Sequence, residues 1–210
     1  MFFKNRAEAG RLLAEKLTKY GGKNVIVLGL PRGGVVPAFE IAKALKAPLD
    51  IVLAHKIGHP HSPEYAIGAI SESGHLLITS AEAKFVDPRW LAEEKELQIR
   101  ELAHKRQLFG RGKKAPSLKD KIVILVDDGI ATGSTMKVAI KEIQSQQPQK
   151  LIVAVAVSPD DTAREIAASV DEFIALKVAS GADFMGAVGA HYEHFPQVEN
   201  DEVIALLEGL

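Results

Sequence analysis

The sequence predicts an α/β fold in which a mostly parallel central sheet is flanked by helices. Short segments at 24–30, 50–54, 123–127, 150–157 and 173–178 are apolar on both faces. Stretches of helical period separate them, and glycine- or proline-bearing turns mark the junctions. A strand that is apolar on both faces needs cover on both sides, which alternating strands and helices supply.

Arg6 to Tyr20 places Ala9, Leu12, Leu13 and Leu17 on one face, as an amphipathic helix does, and Gly21-Gly22 ends it. Asn24 to Leu30 reads as a buried strand, Pro31-Arg32-Gly33-Gly34 as a turn, and Val35 to Leu45 as a helix. Pro48 breaks the pattern, and Asp50 to Ala54 is a second strand, giving a right-handed parallel unit. His55 to Ser62, rich in His, Gly and Pro, reads as a loop. Ala66 to Ile70 and Leu76 to Thr79 form a hairpin around Ser73-Gly74. Pro88 to Phe109 is the longest helical pattern, followed by a polar connector over 110–121. After the strand at 123–127 come a helix over 134–147, a strand over 150–157, a helix over 160–168 capped by Asp160 or Asp161, and a strand over 173–178. The tail from Ser180 carries glycines and aromatics and closes with a short helix near 200–207.

The composition is that of an ordinary globular domain, 47% hydrophobic and 25% charged in 210 residues. A net charge of −1 gives no global basic field for nucleic acid or a membrane surface. Cysteine is absent, which excludes disulfides, thiolate catalysis and zinc–cysteine sites. Apolar runs such as Leu151 to Val157 are too short to span a bilayer, and no secretory signal is visible, so a cytoplasmic setting is expected.

The chemistry concentrates in Val123-Ile124-Leu125-Val126-Asp127-Asp128-Gly129-Ile130-Ala131-Thr132-Gly133-Ser134-Thr135. A buried strand delivers Asp127 and Asp128 to its carboxyl end, and the loop beyond leads into a helix. Amides of such a turn and the helix N-terminus form a phosphate site. Thr132, Ser134 and Thr135 add hydroxyls, while Gly129 and Gly133 permit close approach. Vicinal hydroxyls of a ribose suit the carboxylates, and its 5′-phosphate suits the loop. A strand-to-helix turn with a capping Asp is the alternative without function.

This stretch resembles the fingerprint of type I phosphoribosyltransferases: four apolar residues, two acids, two variable residues and a Thr/Gly phosphate loop. Ala131 stands where that family often has Thr. The resemblance implies a Rossmann-like core at about 20–178, a flexible flap at about 55–80 and a small C-terminal hood at about 179–210, together one domain. It implies binding of 5-phosphoribosyl-1-pyrophosphate (PRPP) with Mg²⁺ held mainly through PRPP, and transfer of phosphoribose to or from a heterocyclic base, purine-like if the hood likeness holds. Asp127, Asp128 and Lys56 then take catalytic roles, and Gly129, Ile130, Ala131, Thr132, Gly133, Ser134 and Thr135 hold the ribose phosphate. By position Arg32, Gly33 and Gly34 inherit pyrophosphate binding, the Arg as a bidentate fork; otherwise they are a plain turn.

Lys56 lies just past a predicted strand end, where it can reach a leaving pyrophosphate, and the following segment can fold over the site. Glu64 is a Mg²⁺-water or base contact, or a surface acid. A metal site from His55, His59 and His61 is disfavoured, since the intervening prolines do not pair the ligands. Lys105, Arg106, Arg111, Lys113 and Lys114 read as a solvated helix end and linker, or as an electrostatic rim for a polyanion. Phe184 to Phe195 resembles, weakly, the hood of purine phosphoribosyltransferases. Phe184 or Tyr192 there stacks on a planar acceptor or packs the tail onto the core.

An enzyme is the first reading, and a non-catalytic PRPP sensor using the same pocket is the second. A dinucleotide binder fails, because no G-x-G-x-x-G follows the first strand. The 88–109 helix offers a face for a homodimer.

Overall fold

In a computed structural model, residues 2–111, 115–181 and 183–210 are described. The chain runs α1 (Arg6–Leu17), β1 (Val25–Gly29), α2 (Val35–Leu45), β2 (Leu49–Ile51), β3 (Ala54–His59), β4 (Ser62–Ser71), β5 (Leu76–Ile78) and α3 (Pro88–Gly110). It continues through β6 (Ile122–Asp127), α4 (Ser134–Ser145), β7 (Lys150–Pro159), α5 (Asp160–Ala167), β8 (Glu172–Ala179) and α6 (Asn200–Glu208). Asn5 caps α1 by accepting from the Glu8 amide, and Asp87 caps α3 ahead of a first-turn proline.

Five parallel strands form the main sheet in the order β2-β1-β6-β7-β8. The strands of its centre are buried on both faces, and alternate residues face opposite layers. Ile26, Leu28, Val123 and Leu125 pack with Met136, Ile140, Ile143 and Ile166 of α4 and α5. Val25, Val27, Ile124 and Val126 pack with Leu13, Leu17, Ile41 and Leu45 of α1 and α2. The predicted α/β class with a mostly parallel sheet is the observed one. β1 pairs with β2 on one side and with β6 on the other. The sheet therefore changes direction between β1 and β6, where open α/β sheets hold ligands beyond their strand ends.

A second, antiparallel sheet β3-β4-β5 has its own core, with Ile57, Ile67 and Ile70 against Leu102 and Phe109 of α3 and Val203 of α6. Its first strand corrects the loop expected over 55–62. Only Ile57 of that polar stretch points inward, and the strand is held by pairing with β4 across a register shift at Gly58. The second parallel strand is Leu49–Ile51, ending before the expected Ala54. The cap of α5 is also corrected: Pro159 occupies the cap position with no side-chain bond, while Asp160 pairs with Arg164.

Polar cross-links dock the small sheet. Glu142 of α4 accepts hydrogen bonds from Ser71 Oγ (2.6 Å), Ser73 Oγ and His75 Nδ1 (3.1 Å) at the β4–β5 turn. Arg106 of α3, read as part of a solvated basic run, is instead largely covered. It donates to Glu72 through Nε (2.8 Å) and Nη2 (2.5 Å), to Asp50 (3.1 Å) and to the Ile51 carbonyl (2.8 Å). Burial works against its charge, but both carboxylates hold it protonated. Arg111 pairs with Glu208 at 2.7 Å, and Lys113 and Lys114 lie outside the described residues. Among the described residues no helix is long and apolar enough to cross a membrane.

Arg106→Ala leaves two part-buried carboxylates facing each other, and is expected to cost about 2–4 kcal/mol. Chemical denaturation monitored by far-UV circular dichroism measures it; a change below about 0.5 kcal/mol would show that the cross-link is dispensable.

Candidate functional site at the β1–β6 crevice

The two acids of the fingerprint leave β6 in different directions. Asp127 ends the strand, half-buried, and its Oδ1 accepts from the Asp128 amide at 2.8 Å. Asp128 is buried, and its Oδ2 accepts from Arg6 Nε at 2.6 Å. Arg6 also donates from Nη1 to the Pro196 carbonyl at 2.6 Å, and its guanidinium lies 3.6 Å over the Phe195 ring. Tyr192 donates its hydroxyl to the Asp128 carbonyl at 2.6 Å. Burial, then the charge of Asp128, pushes the Asp127 carboxyl well above the ordinary carboxylate range. Burial raises Asp128 as well, although the bond and charge of Arg6 pull it back.

Beyond the acids, the loop over 129–135 forms a small cradle. Its backbone is fixed by Ile130 N donating to Val157 O (2.8 Å) and Thr162 Oγ1 donating to Ala131 O (3.0 Å). Gly133 caps α4 at φ 75°, a left-handed conformation that glycine adopts without strain. A Cβ on Gly129 would lie 2.5 Å from Val188 Cγ1, so the hood segment closes directly over the loop. The cavity here is about 200 Å³, bordered by Asp127, the 129–136 backbone, Lys56 and Val188. Thr132 and Ser134 hydroxyls stand 3.5 Å apart at its edge. Ile130 turns its side chain into the core.

The turn after β1 meets the acids from the other side. A Cβ on Gly33 would lie 2.1 Å from Asp128 Oδ2, and one on Gly34 would lie 2.8 Å from Asp127 Oδ1. The Pro31–Arg32 peptide is cis. Arg32 stands outward, with Nη1 3.6 Å from Glu199. The structure thus gathers Gly33, Gly34, Asp127, Asp128 and the 129–135 loop at one crevice, while the Arg32 side chain turns toward Glu199.

Lys56, on β3 rather than in a loop, is exposed and borders both the cradle and a larger cleft of about 1130 Å³. That cleft lies between the small sheet and α5. Glu64 and Tyr65 line one wall, Thr162 and Lys137 another, and Phe184 part of the hood side. Phe184 is mostly covered, packing on Val157 and Ala179, with its ring 5.5 Å from His191. Lys177 donates to His191 Nδ1 (3.2 Å), so His191 carries its proton on Nε2 and donates it to the Phe184 carbonyl (2.8 Å). Tyr192 sits apart, between Phe3 (5.3 Å) and Phe195 (4.8 Å). Its ring packs the tail and its hydroxyl braces Asp128. His59 and His61 have ring centroids 5.7 Å apart, and the described residues hold no cluster of three or more metal-ligating side chains.

Arg6 and Thr162 carry no motif in the sequence, while Val188 and Phe195 lie in the hood-like segment without a role assigned to either. Arg6 looks like one more polar residue on an amphipathic helix, and only the fold brings it to an acid 122 positions away.

Gly33→Ala forces a methyl into Asp128, whose own position is pinned by Arg6. A loss of about 1–3 kcal/mol is expected in denaturant titration. Unchanged stability would mean that the turn yields without disturbing the acids.

Comparison with known proteins bears on the same segments. The family model described as "Phosphoribosyl transferase domain" matches residues 2–185. A Mycobacterium tuberculosis protein with a provisional phosphoribosyl transferase name, known in strains CDC 1551 and H37Rv, is 41% identical over 208 residues. That alignment covers 98% of this chain and 46% of the relative, so the chain spans about half the length of the curated relatives it matches. The crystal structure of TT1426 from Thermus thermophilus superposes with a TM-score of 0.82 at 38% identity, covering 99% of this chain and 98% of that one. A hypoxanthine phosphoribosyltransferase structure from Staphylococcus aureus shares the fold, with a TM-score of 0.50 at 14% identity over 96% and 91% of the two chains. A domain match over nearly the whole chain, falling on the crevice built from β1 and β6, places the protein in the phosphoribosyl transferase family.

Proposed function

We propose that the crevice binds PRPP and that the protein transfers its 5-phosphoribosyl group between pyrophosphate and a nitrogenous base. The observation that supports this reading is the convergence of three parts at one strand-end crevice. A half-buried carboxylate lies at the end of β6, a cradle bordered by residues 129–136 opens the N-terminus of α4, and a glycine turn presses on the acids from β1.

In this reading the 5-phosphate lies in the 129–135 cradle, where amides and the Thr132, Ser134 and Thr135 hydroxyls donate to it. Asp127 accepts from the ribose hydroxyls and sets negative charge beside the cationic sugar that develops as the anomeric bond breaks. Burial favours the protonated acid, so that hydroxyl donation and the sugar's positive charge together favour its ionised form on binding. Lys56, at the border of the cradle, and Arg32, on the turn after β1, are assigned to neutralise the departing pyrophosphate. Phe184, which borders the larger cleft, is the aromatic group assigned to the planar acceptor. Asp127 is the carboxylate that borders the cradle among the described residues, which suits a hard cation that takes most of its ligands from PRPP and water, as Mg²⁺ does. Such a cation, with Asp127 its nearest protein ligand, would screen the pyrophosphate charge.

The test incubates the protein with PRPP and Mg²⁺ against a panel of purines, pyrimidines and nicotinate-like acids, and follows pyrophosphate release. Release that depends on one base, and is lost in Asp127→Asn, is expected. Tight PRPP binding without release for any base would mean a sensor instead, and no PRPP binding would overturn the reading. Lys56→Ala is expected to lower kcat by roughly 100-fold with a smaller change in PRPP affinity, because leaving-group charge is greatest in the transition state. Equal losses in kcat and affinity would show that Lys56 only binds.

A further inference from the structure

The fingerprint's second acid does not stand free. Its carboxylate is held by Arg6 at 2.6 Å, its carbonyl by the Tyr192 hydroxyl at 2.6 Å, and Gly33 lies against Oδ2. Arg6 is itself over-determined. It stands at the first turn of α1, buried, with Nη1 on the Pro196 carbonyl and its plane on Phe195. Backbone bonds set the segments that carry these groups side by side: Phe3 N to His191 O (2.9 Å), Glu193 N to Phe3 O (2.8 Å) and His194 N to Lys4 O (3.1 Å). One guanidinium thus joins the end of β6, the β1 turn and the hood. Asp127, by contrast, borders the cradle.

We propose that Arg6 is a positioning residue of the phosphoribosyl site, which fixes Asp128 as the internal anchor of the crevice and leaves Asp127 as the acid that meets the ligand. This rests on the PRPP-binding reading above, which it deepens by separating the roles of two adjacent acids. The physical case is one of matched donors and acceptors. A buried carboxylate beside a second acid is costly unless a cation pairs with it. An arginine fork can donate in two directions and stack at the same time, which a lysine cannot. Held this way, Asp128 fixes the distance between the glycine turn and the cradle, the span that a ligand with phosphate groups at both ends must match. Removal of Arg6 leaves Asp128 facing Asp127 with burial unopposed, so its carboxyl titrates at higher pH.

The experiment compares wild type, Arg6→Ala, Arg6→Lys, Asp128→Asn and the Arg6→Ala/Asp128→Asn double variant. PRPP affinity is measured by calorimetry with Mg²⁺, and the Asp128 carboxyl is titrated by carbon NMR without ligand. Arg6→Ala is expected to weaken PRPP binding by about tenfold or more, and Asp128→Asn by a similar factor. The double variant should be no worse than the poorer single, since both remove one interaction. Arg6→Lys should recover only part of the loss. Guanidinium at concentrations well below denaturing should restore binding to Arg6→Ala but not to the double variant, a response that a general loss of packing would not give. The Asp128 titration should move up in Arg6→Ala.

Arg6→Ala that lowers thermal stability while leaving PRPP affinity and the Asp128 titration unchanged would overturn the proposal, as would independent, additive effects of the two substitutions. Should wild type fail to bind PRPP, the phosphoribosyl reading falls, and with it the claim about the ligand. The Asp128 titration then still decides separately whether Arg6 controls this acid.

Discussion

Two neighbouring parallel strands whose connections depart to opposite sides set the terms for everything else in this molecule. β1 runs on toward β2 at one edge of the sheet, and β6 runs on toward β7 and β8 at the other. Their carboxyl ends lie side by side while the chain beyond them diverges, which opens a crevice that main-chain groups line from both walls. The register from Val25–Ile122 to Gly29–Val126 brings both strands to their ends together. A glycine turn and an acid pair therefore meet at van der Waals distance, and no larger residue at 33 or 34 fits without displacing a carboxylate. The crevice is an outcome of that backbone divergence first, and of side chains second.

The small antiparallel sheet completes the site by carrying Lys56 to the cradle's edge. Its hold on the main body is unusual in being largely polar at two points. Arg106 gathers Glu72 and Asp50, and Glu142 gathers Ser71, Ser73 and His75. Buried polar groups specify one docking geometry, because a shifted register would leave donors or acceptors unmatched. Every fully buried side-chain polar atom among the described residues has a partner. Glu142 lies on the same helix whose first turn closes the cradle, so that helix ties the 129–135 loop at one end to the Lys56-bearing sheet at the other.

Strands buried on both faces announced themselves as short apolar runs, and β1, β6 and β7 begin within a residue of where composition placed them. The Val35–Leu45 helix is bounded as read, since glycine precedes it and a left-handed Lys46 ends it. β3 was illegible. A strand at the edge of a three-stranded sheet needs only one inward side chain, Ile57, and its histidines and glycine resemble a loop until β4 pairs with them. Of the site, the residues contiguous in sequence were visible: 31–34, 127–135 and Lys56. The bracing role was not, because Arg6 carries no local pattern, and Tyr192 and Phe195, within a hood-like segment, owe their bracing to tertiary contact alone. Tyr192 shows the difference well. Its aromatic character drew attention as a stacking surface, whereas its hydroxyl is the part that reaches the site.

The pairing of segment 3–6 with segment 191–196 has a consequence in time as well as in space. Arg6 bonds Asp128 across 122 positions and Pro196 across 190, among the longest separations in the fold. During synthesis the helix that carries Arg6 emerges well before residues 191–196. Until residues 191–196 arrive, Arg6 lacks its aromatic floor and its carbonyl partner, and Asp128 lacks the Tyr192 hydroxyl. Contacts of such high order close late in folding, after local helices and neighbouring strands have formed. The sheet can therefore assemble ahead of the crevice, and a nascent chain stalled before residue 191 would hold the five parallel strands around an unfinished site.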